Sequence, residues 1–225
     1  MLSIVIPTLN CERLLGATLE TLVPGALSGL VSQLVVSDGG SSDATRAIAE
    51  EAGADVVTGP PGRGPQLARG ADAARGRWLL FLHADTILAP DWPERIRRFI
   101  DDGDDSRAAS FRFRLDDRRM RARVVERIVA MRCLVAALPY GDQGLLISRR
   151  HYDELGGYRP LVLMEDVDMV RRIGRRRLTM LDHDAVTSAE RFRRGGYLRR
   201  TTLSLACLGL WYAGMAPERI ARSYG

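Results

Sequence analysis

The chain has 225 residues, 46% of them hydrophobic, and a formal net charge of +5. These values allow one large α/β domain or two small ones with a sizeable core, and they argue against a disordered chain. All 33 basic residues are arginines, whose guanidinium groups bind phosphate in a bidentate way. The modest charge excess argues against a nucleic-acid partner and favours an acidic or phosphorylated small partner, or an anionic membrane surface.

The first 90 residues alternate between strand and helix patterns. The strand patterns cover 3–7, 33–38, 54–59 and 78–85, and the helical patterns cover 12–23, 42–53 and 64–76. Units of this size predict right-handed crossovers and therefore a parallel sheet.

The second half mixes strand and helix patterns without regular alternation. Residues 110–115 alternate strictly, which predicts a strand with Phe111, Phe113 and Leu115 facing the core and two arginines facing out. Other patterns predict strands over 144–150 and 178–188, and helices over 116–138, 151–158, 165–176 and 197–215. Because no linker or repeat separates 1–90 from 91–225, we expect residues 1–225 to form a single domain.

Three features bear on the cellular compartment. Cys11, Cys133 and Cys207 have neither metal-site spacing nor a plausible disulfide framework, which favours a reducing environment. The start of the chain has no basic leader of the signal-peptide kind. The longest apolar stretch, 203–216, is shorter than the roughly 20 residues that span a bilayer. We therefore expect a cytoplasmic protein, either soluble or peripheral at the inner membrane face.

Polar loops follow three of the predicted parallel strands, at 7–10, 38–43 and 83–86. Ligands bind at the carboxyl edge of such sheets, so we expect these loops to converge. Because side chains alternate along a strand, His83 and Asp85 are predicted to emerge on the same side. Asp85 suits a divalent cation that bridges to phosphates, although a polar strand exit is the alternative interpretation. Asp38 suits a base or a ribose, and its alternative is an ordinary turn.

Further along, Arg63 and Arg69 suit a diphosphate, although the loop 59–65 is also typical of a rigid surface turn. Asp166 follows an apolar run and suits a general base on an acceptor hydroxyl. Two carboxylates at a helix start are also typical of a cap. Asp168 is predicted to form a surface ion pair with the arginines that follow it.

These motifs, in this order, resemble the family 2 glycosyltransferases of the GT-A fold over nearly the whole chain. The matching segments are SIVIPTLN, VVSDGGSSDAT, GRGPQLARGADAARGRWLLFLHADT, PYGDQGLLISRRHYDELGGY, LMEDVDMVRRIGR and TSAERFRRGGYLRRT. The His-Ala-Asp-Thr loop is most similar to a bacterial subgroup found beside radical-SAM and selenocysteine-domain proteins. The resemblance implies an α/β, Rossmann-like and mostly parallel central sheet flanked by helices. Residues 1–90 would be its nucleotide-binding half and 91–225 a mixed acceptor-side half with a C-terminal helix.

The resemblance also implies roles for single residues. The nucleotide-sugar site would comprise Pro7, Thr8, Leu9, Asp38, Arg63, Arg69, His83, Ala84, Asp85 and Arg191. Asp85 would bind a divalent cation, Mg²⁺ or Mn²⁺. Asp166 would be the catalytic base, and the acceptor side would include Asp142, Gln143 and Glu165. The implied reaction is inverting, metal-assisted transfer of a sugar from a nucleotide-diphosphate sugar to an acceptor hydroxyl.

Four residues depart from the family pattern. His83 replaces the first Asp of an Asp-x-Asp motif, and Gly39 replaces the second Asp of an Asp-Asp pair. Cys11 stands where the family often has Glu, and Phe192 stands where it has Trp. With one carboxylate left in the loop, we expect metal to bind well only together with nucleotide. A nucleotidyltransferase of related fold and a non-catalytic nucleotide-sugar-binding protein are the alternatives.

Two helical segments are candidates for a partner surface. The segment 197–215 is more apolar than a solvated helix, which fits core packing, a homodimer contact or peripheral membrane contact. The basic segment 118–138 fits the last two, because one helical face carries Met120, Val124, Ile128, Met131, Val135 and Leu138. The acceptor is expected to be a small molecule or a lipid-linked compound.

Overall fold

The computed structural model describes residues 1–224. The strands are β1 (Leu2–Thr8), β2 (Val31–Asp38), β3 (Asp55–Thr58), β4 (Trp78–Phe81), β5 (Thr86–Leu88), β6 (Ala108–Leu115), β7 (Leu145–Ser148) and β8 (Leu178–Thr187). The helices are α1 (Glu12–Glu20), α2 (Val23–Leu27), α3 (Thr45–Glu51), α4 (Arg63–Ala73), α5 (Trp92–Asp101), α6 (Met120–Ala136), α7 (Arg149–Glu154), α8 (Glu165–Ile173), α9 (Glu190–Gly195), α10 (Tyr197–Tyr212) and α11 (Pro217–Tyr224).

The described strands form one eight-stranded sheet in the order β3-β2-β1-β4-β7-β6-β8-β5. Strands β1 to β4 run parallel to one another, which confirms the predicted parallel half. In the second half β7 is antiparallel to both β4 and β6, β6 is parallel to β8, and β5 is antiparallel to β8. The sheet is therefore mixed in the part formed by the second half of the chain, where strand and helix patterns do not alternate regularly.

The two central strands are apolar throughout because both faces of the sheet are covered. Ile4 of β1 and Leu80 of β4 pack in one hydrophobic cluster, whereas Val5 and Leu79 pack in the other. Burial on both faces is what gives a central parallel strand its continuous apolar pattern. Because β1 pairs with β4 in parallel, the loops after these two strands leave the sheet side by side.

Some elements differ from the sequence predictions. The predicted strand over 78–85 ends at Phe81, so His83 and Asp85 lie in the loop beyond it. The predictions also lacked β5, which has only three residues, and α5. The alternating strand was correct: Phe111, Phe113 and Leu115 are buried.

Asp168 forms an ion pair with a following arginine, as predicted, but the prediction that this pair lies on the surface was wrong. Asp168 is buried, and its carboxylate pairs with Arg172 (2.7 Å) and Arg159 (3.0 Å). Arg171 instead lies over the ring of Tyr212. Asp168 therefore fixes α8 to the segment before it.

Candidate active site

A cavity of about 360 Å³ opens at the carboxyl ends of β1 and β4. Ligand pockets in proteins are commonly of this size. All the residues predicted to bind the nucleotide sugar line this cavity except Asp38 and Arg69, which are not part of its lining. The full lining is Pro7, Thr8, Leu9, Cys11, Leu14, Gly62, Arg63, Gln66, His83, Ala84, Asp85 and Arg191.

Asp38 ends β2 and is fully buried. Its carboxylate accepts hydrogen bonds from Thr8 Oγ1 (3.0 Å), from the N–H groups of Gly40 (2.8 Å) and Ser41 (2.7 Å), and from the Ser41 hydroxyl. Burial by itself raises the pKa of Asp38, but these hydrogen bonds outweigh it and lower the pKa below its usual value. The carboxylate thus ties the loop after β1 to the loop after β2, and its contact with a base stays a prediction.

Gln66 of α4 is a site residue that the sequence argument missed. Its side-chain amide donates to the carbonyls of Thr8 (2.7 Å) and Ser37 (3.0 Å) and accepts from the N–H of Gly62 (3.2 Å). Gln66 therefore joins the ends of β1 and β2 to the start of α4. Arg69, one turn later, donates to the Asp38 carbonyl (3.0 Å) and does not line the cavity.

Arg63 is the cation at the centre of the site. Its Nη1 lies 3.6 Å from Glu165 Oε1. Burial by itself lowers the pKa of Arg63, but attraction to Glu165, Asp166, Asp142 and Asp85 outweighs it and raises the pKa. A guanidinium among carboxylates is held charged, so Arg63 presents a fixed positive charge to an anionic ligand.

Asp85, the predicted metal ligand, faces the same cavity as Arg63 and Arg191. Burial raises the pKa of Asp85, and the two arginines partly offset this increase. Within residues 1–224, no group of three or more His, Cys, Asp or Glu side chains is arranged to hold a metal ion. A single carboxylate on the wall of this cavity fits a divalent cation only when ligand oxygens complete its coordination.

His83 lines both the cavity and the neighbouring cleft and lies against the turn at Gly141. Burial holds the pKa of His83 well below its usual value, and Arg63 and Arg191 lower it further, so the imidazole is neutral near pH 7. Its Nε2 is buried, and no hydrogen-bond partner for it lies among the described residues. A Cβ on Gly141 would come within 2.5 Å of this atom, so residue 141 must be glycine for His83 to keep its place.

Asp166 lies in a small cleft next to the cavity. Arg63 and His83 line both spaces, and the cleft also contains Gly141, Glu165 and Asp166. Asp166 accepts hydrogen bonds from the N–H groups of Gly141 (2.8 Å) and Val167 (2.7 Å). The bond to Gly141 crosses between two segments, so Asp166 does more than cap its own helix.

The three predicted acceptor-side residues have different environments. Burial raises the pKa of Asp142 to about 6, with Arg132 opposing the shift. Burial also raises the pKa of Glu165, and the neighbouring Asp166 adds to the effect. Gln143 is buried outside the cavity, where its amide bonds the carbonyl of Phe111 (2.9 Å) and the N–H of Tyr140 (3.3 Å). Its role on the acceptor side stays a prediction, and its observed contacts are structural.

The architecture matches solved structures of one fold class. The crystal structure of glucosyl-3-phosphoglycerate synthase from Mycobacterium tuberculosis in complex with Mn²⁺, uridine diphosphate and phosphoglyceric acid has a TM-score of 0.61 and 25% sequence identity to this chain. The match covers 91% of this chain and 77% of that one. The mixed sheet flanked by helices is thus the GT-A fold, as the sequence predicted.

Sequence comparison gives the family. Residues 3–156 match Glycosyl transferase family 2, and the chain belongs to this family. A relative from Mycolicibacterium smegmatis, glucosyl-3-phosphoglycerate synthase, is 39% identical over 98 residues, which are 40% of this chain and 32% of the relative. The PGL/p-HBAD biosynthesis glycosyltransferase of Mycobacterium bovis (strain BCG) is 35% identical over 108 residues, or 44% of this chain and 41% of that protein. The matches therefore span less than half the length of these curated relatives.

Proposed function

We propose that this chain is a glycosyltransferase that moves a sugar from a nucleotide-diphosphate sugar to an acceptor hydroxyl, with inversion at the anomeric carbon. One observation carries the proposal: Arg63 and His83 line both the cavity of about 360 Å³ and the cleft that holds Asp166. A diphosphate beside Arg63 would leave its sugar next to a carboxylate. Inverting displacement requires this arrangement, because the base and the leaving group act on opposite faces of the sugar.

In the proposed reaction Asp166 accepts the proton of the acceptor hydroxyl, and the acceptor oxygen forms the new bond to the anomeric carbon. The bond from that carbon to the diphosphate oxygen breaks, and its electron pair leaves on the diphosphate. Arg63 and Arg191 stabilise this developing charge from the cavity wall. A divalent cation held by Asp85 would supply further positive charge to the diphosphate when bound.

We propose a UDP-sugar as the donor and Mn²⁺ or Mg²⁺ as the cation, because the similar M. tuberculosis structure contains uridine diphosphate and Mn²⁺. Membership of the subgroup beside radical-SAM proteins remains a proposal that rests on the His-Ala-Asp-Thr loop. Division of one domain into a nucleotide-binding half, 1–90, and an acceptor-side half, 91–225, also remains a proposal. It is supported by the single sheet to which both halves contribute strands.

The proposal can be tested with the purified chain, Mn²⁺ and a panel of UDP- and GDP-sugars. Calorimetry should detect binding of at least one donor, and acceptor-dependent turnover should release the nucleoside diphosphate. Release of pyrophosphate instead would indicate a nucleotidyltransferase. Donor binding with no release on any acceptor would favour a non-catalytic nucleotide-sugar-binding protein, and the absence of any donor binding would contradict the proposal.

Binding of UDP-glucose without metal is expected to tighten as the pH falls from about 7 to about 5. Burial raises the pKa of Asp142 to about 6, so this carboxylate ionises above that pH and repels the bound diphosphate. Binding is therefore linked to proton uptake, and affinity rises as the pH falls through the pKa. Calorimetry in EDTA across this range measures the effect, because the diphosphate of UDP-glucose does not itself titrate there. Asp142→Asn should reduce the slope, and an unchanged slope would exclude Asp142 as its source.

Gly141→Ala is expected to lower turnover by about 10-fold or more, through misplacement of catalytic groups. The new Cβ would lie 2.5 Å from His83 Nε2 and 3.6 Å from Asp166 Oδ2, so the turn or His83 must shift. Steady-state kinetics and thermal unfolding would separate this effect from loss of fold. Gly16→Ala is the matched control, since nothing lies within 4 Å of its added Cβ. Normal turnover in Gly141→Ala would show that the contact between His83 and the turn is dispensable.

A further inference from the structure

Helix α6 carries its large apolar side chains outward. The residues that it buries are Ala122, Val125, Glu126 and Cys133. Its most exposed apolar side chains are Met120 (72%), Leu134 (67%), Val135 (64%), Met131 (56%) and Val124 (51%). A helix that packs on a core has the opposite arrangement, with its apolar stripe inward. Of the apolar face identified in the sequence, Met120, Val124, Met131 and Val135 are therefore exposed, whereas Ile128 is half-buried and Leu138 is buried.

Helix α10 contacts α6 and also carries exposed apolar side chains. Leu198, Leu205 and Tyr212 of α10 are exposed, whereas Tyr197, Thr201 and Cys207 are buried and hold the helix in place. We call the exposed residues of these two helices the α6–α10 surface. Contiguous apolar surface of this kind marks a site of association.

The charged groups of the α6–α10 surface are of one sign. Exposed arginines lie at and just before the start of α6, at positions 118, 119 and 121, and again at 127, and Arg199 is exposed on α10. The single acidic residue of α6, Glu126, is buried and paired with Arg114 and Arg123. Helix α10 contains no Asp or Glu. Arg119 lies 3.9 Å from the carboxylate of Asp117. The exposed charged residues of the two helices themselves are arginines, so the surface combines apolar side chains with positive charge.

We propose that the α6–α10 surface binds the interface of an anionic lipid bilayer. Apolar side chains would enter the acyl boundary while the arginines contact acidic headgroups. A symmetric contact with a second copy would instead bring two positively charged surfaces together, which is repulsive. Among residues 1–224 no helix is long and apolar enough to cross a membrane, so the contact is interfacial. Binding to a bilayer can be tested separately from the transferase reaction and does not depend on it.

The bilayer contact would lie close to the acceptor side of the candidate site. Helix α6 leads into the turn Gly141–Gln143, which bonds Asp166 through Gly141. Helix α10 directly follows α9, which carries Arg191 on the cavity wall. Both helices are thus connected within a few residues to groups of the site.

Flotation of the full chain with lipid vesicles tests the proposal. Wild-type protein should float with vesicles of phosphatidylcholine mixed with phosphatidylglycerol, and not with phosphatidylcholine alone. The double variant Arg121→Gln/Arg127→Gln should bind about 30-fold more weakly, from the contribution of each arginine near an anionic surface. Arg13→Gln/Arg46→Gln is the matched control, because it removes the same charge from exposed positions on α1 and α3. This control should bind nearly as well as the wild type.

A second pair of variants tests the apolar contribution. Met131→Glu/Leu134→Glu should abolish flotation, whereas Val23→Glu/Leu27→Glu, at exposed apolar positions of α2, should retain more of it. Unchanged thermal unfolding would exclude loss of fold. Wild-type protein that does not float with anionic vesicles would overturn the proposal. Equal loss in the control pairs, or a dimer in light scattering that Met131→Glu/Leu134→Glu dissociates, would also overturn it.

Discussion

Asp166→Asn is expected to lower sugar transfer by about 10²-fold or more while donor affinity is retained. Asparagine preserves the shape of the side chain, and its oxygen can still accept the hydrogen bond from the Gly141 N–H, which is 2.8 Å long in the structure. It cannot take a proton from the acceptor. Steady-state kinetics would therefore show a fall in kcat, and calorimetry with the donor would show a nearly unchanged Kd.

Asp168→Asn is the matched control for this prediction. It removes a carboxylate from the same helix, but Asp168 pairs with Arg159 and Arg172 and does not line the cleft. The control should lower the melting temperature and leave kcat per folded molecule close to that of the wild type. Retained turnover in Asp166→Asn would exclude the general-base role and leave Asp166 as a residue that orders the turn at Gly141.

The convergence of the loops after β1 and β4 on one cavity could be predicted from the sequence, because a parallel sheet brings strand ends together. Pro7, Thr8 and Leu9 end one strand and Asp85 follows another, so the order of strands was enough to place them on one cavity. Asp38 was located correctly at a strand end. Its inward direction was not predictable, because it depends on the four hydrogen bonds that its own loop and Thr8 supply.

The surroundings of Asp166 were harder to predict because they depend on contacts between distant segments. Gly141 was absent from the predicted site, yet its N–H bonds Asp166 and its missing Cβ makes room for His83. Gln143 was expected beside the acceptor, but its amide bonds Phe111 on β6. Periodicity also identified the apolar face of α6 without indicating whether that face is inside or outside. Whether the apolar face of α6 is buried or exposed depends on which other elements pack against it.

Asp85→Asn is expected to remove the gain in nucleotide affinity that a divalent cation provides. Asp85 is the one carboxylate of its loop and lines the cavity together with Arg63 and Arg191. We expect UDP to bind the variant about 10- to 100-fold more weakly than the wild type in Mn²⁺, the range seen when metal sites lose supporting groups. In EDTA the two proteins should bind UDP similarly, or the variant slightly better, because a negative charge near the diphosphate has been removed. Calorimetry in Mn²⁺ and in EDTA measures both values.

Asp116→Asn separates ligation from simple charge in this experiment. The charge of Asp116 acts on Asp85 and raises its pKa, but its carboxylate is exposed and lies 3.7 Å from Arg193. If Asp85 only contributes negative potential, both variants should reduce the Mn²⁺ effect, and Asp116→Asn should reduce it less because Asp116 does not line the cavity. If Asp85 binds the ion, Asp85→Asn alone should abolish the effect. If Mn²⁺ still increases the UDP affinity of Asp85→Asn as much as that of the wild type, the cation must be bound by other groups.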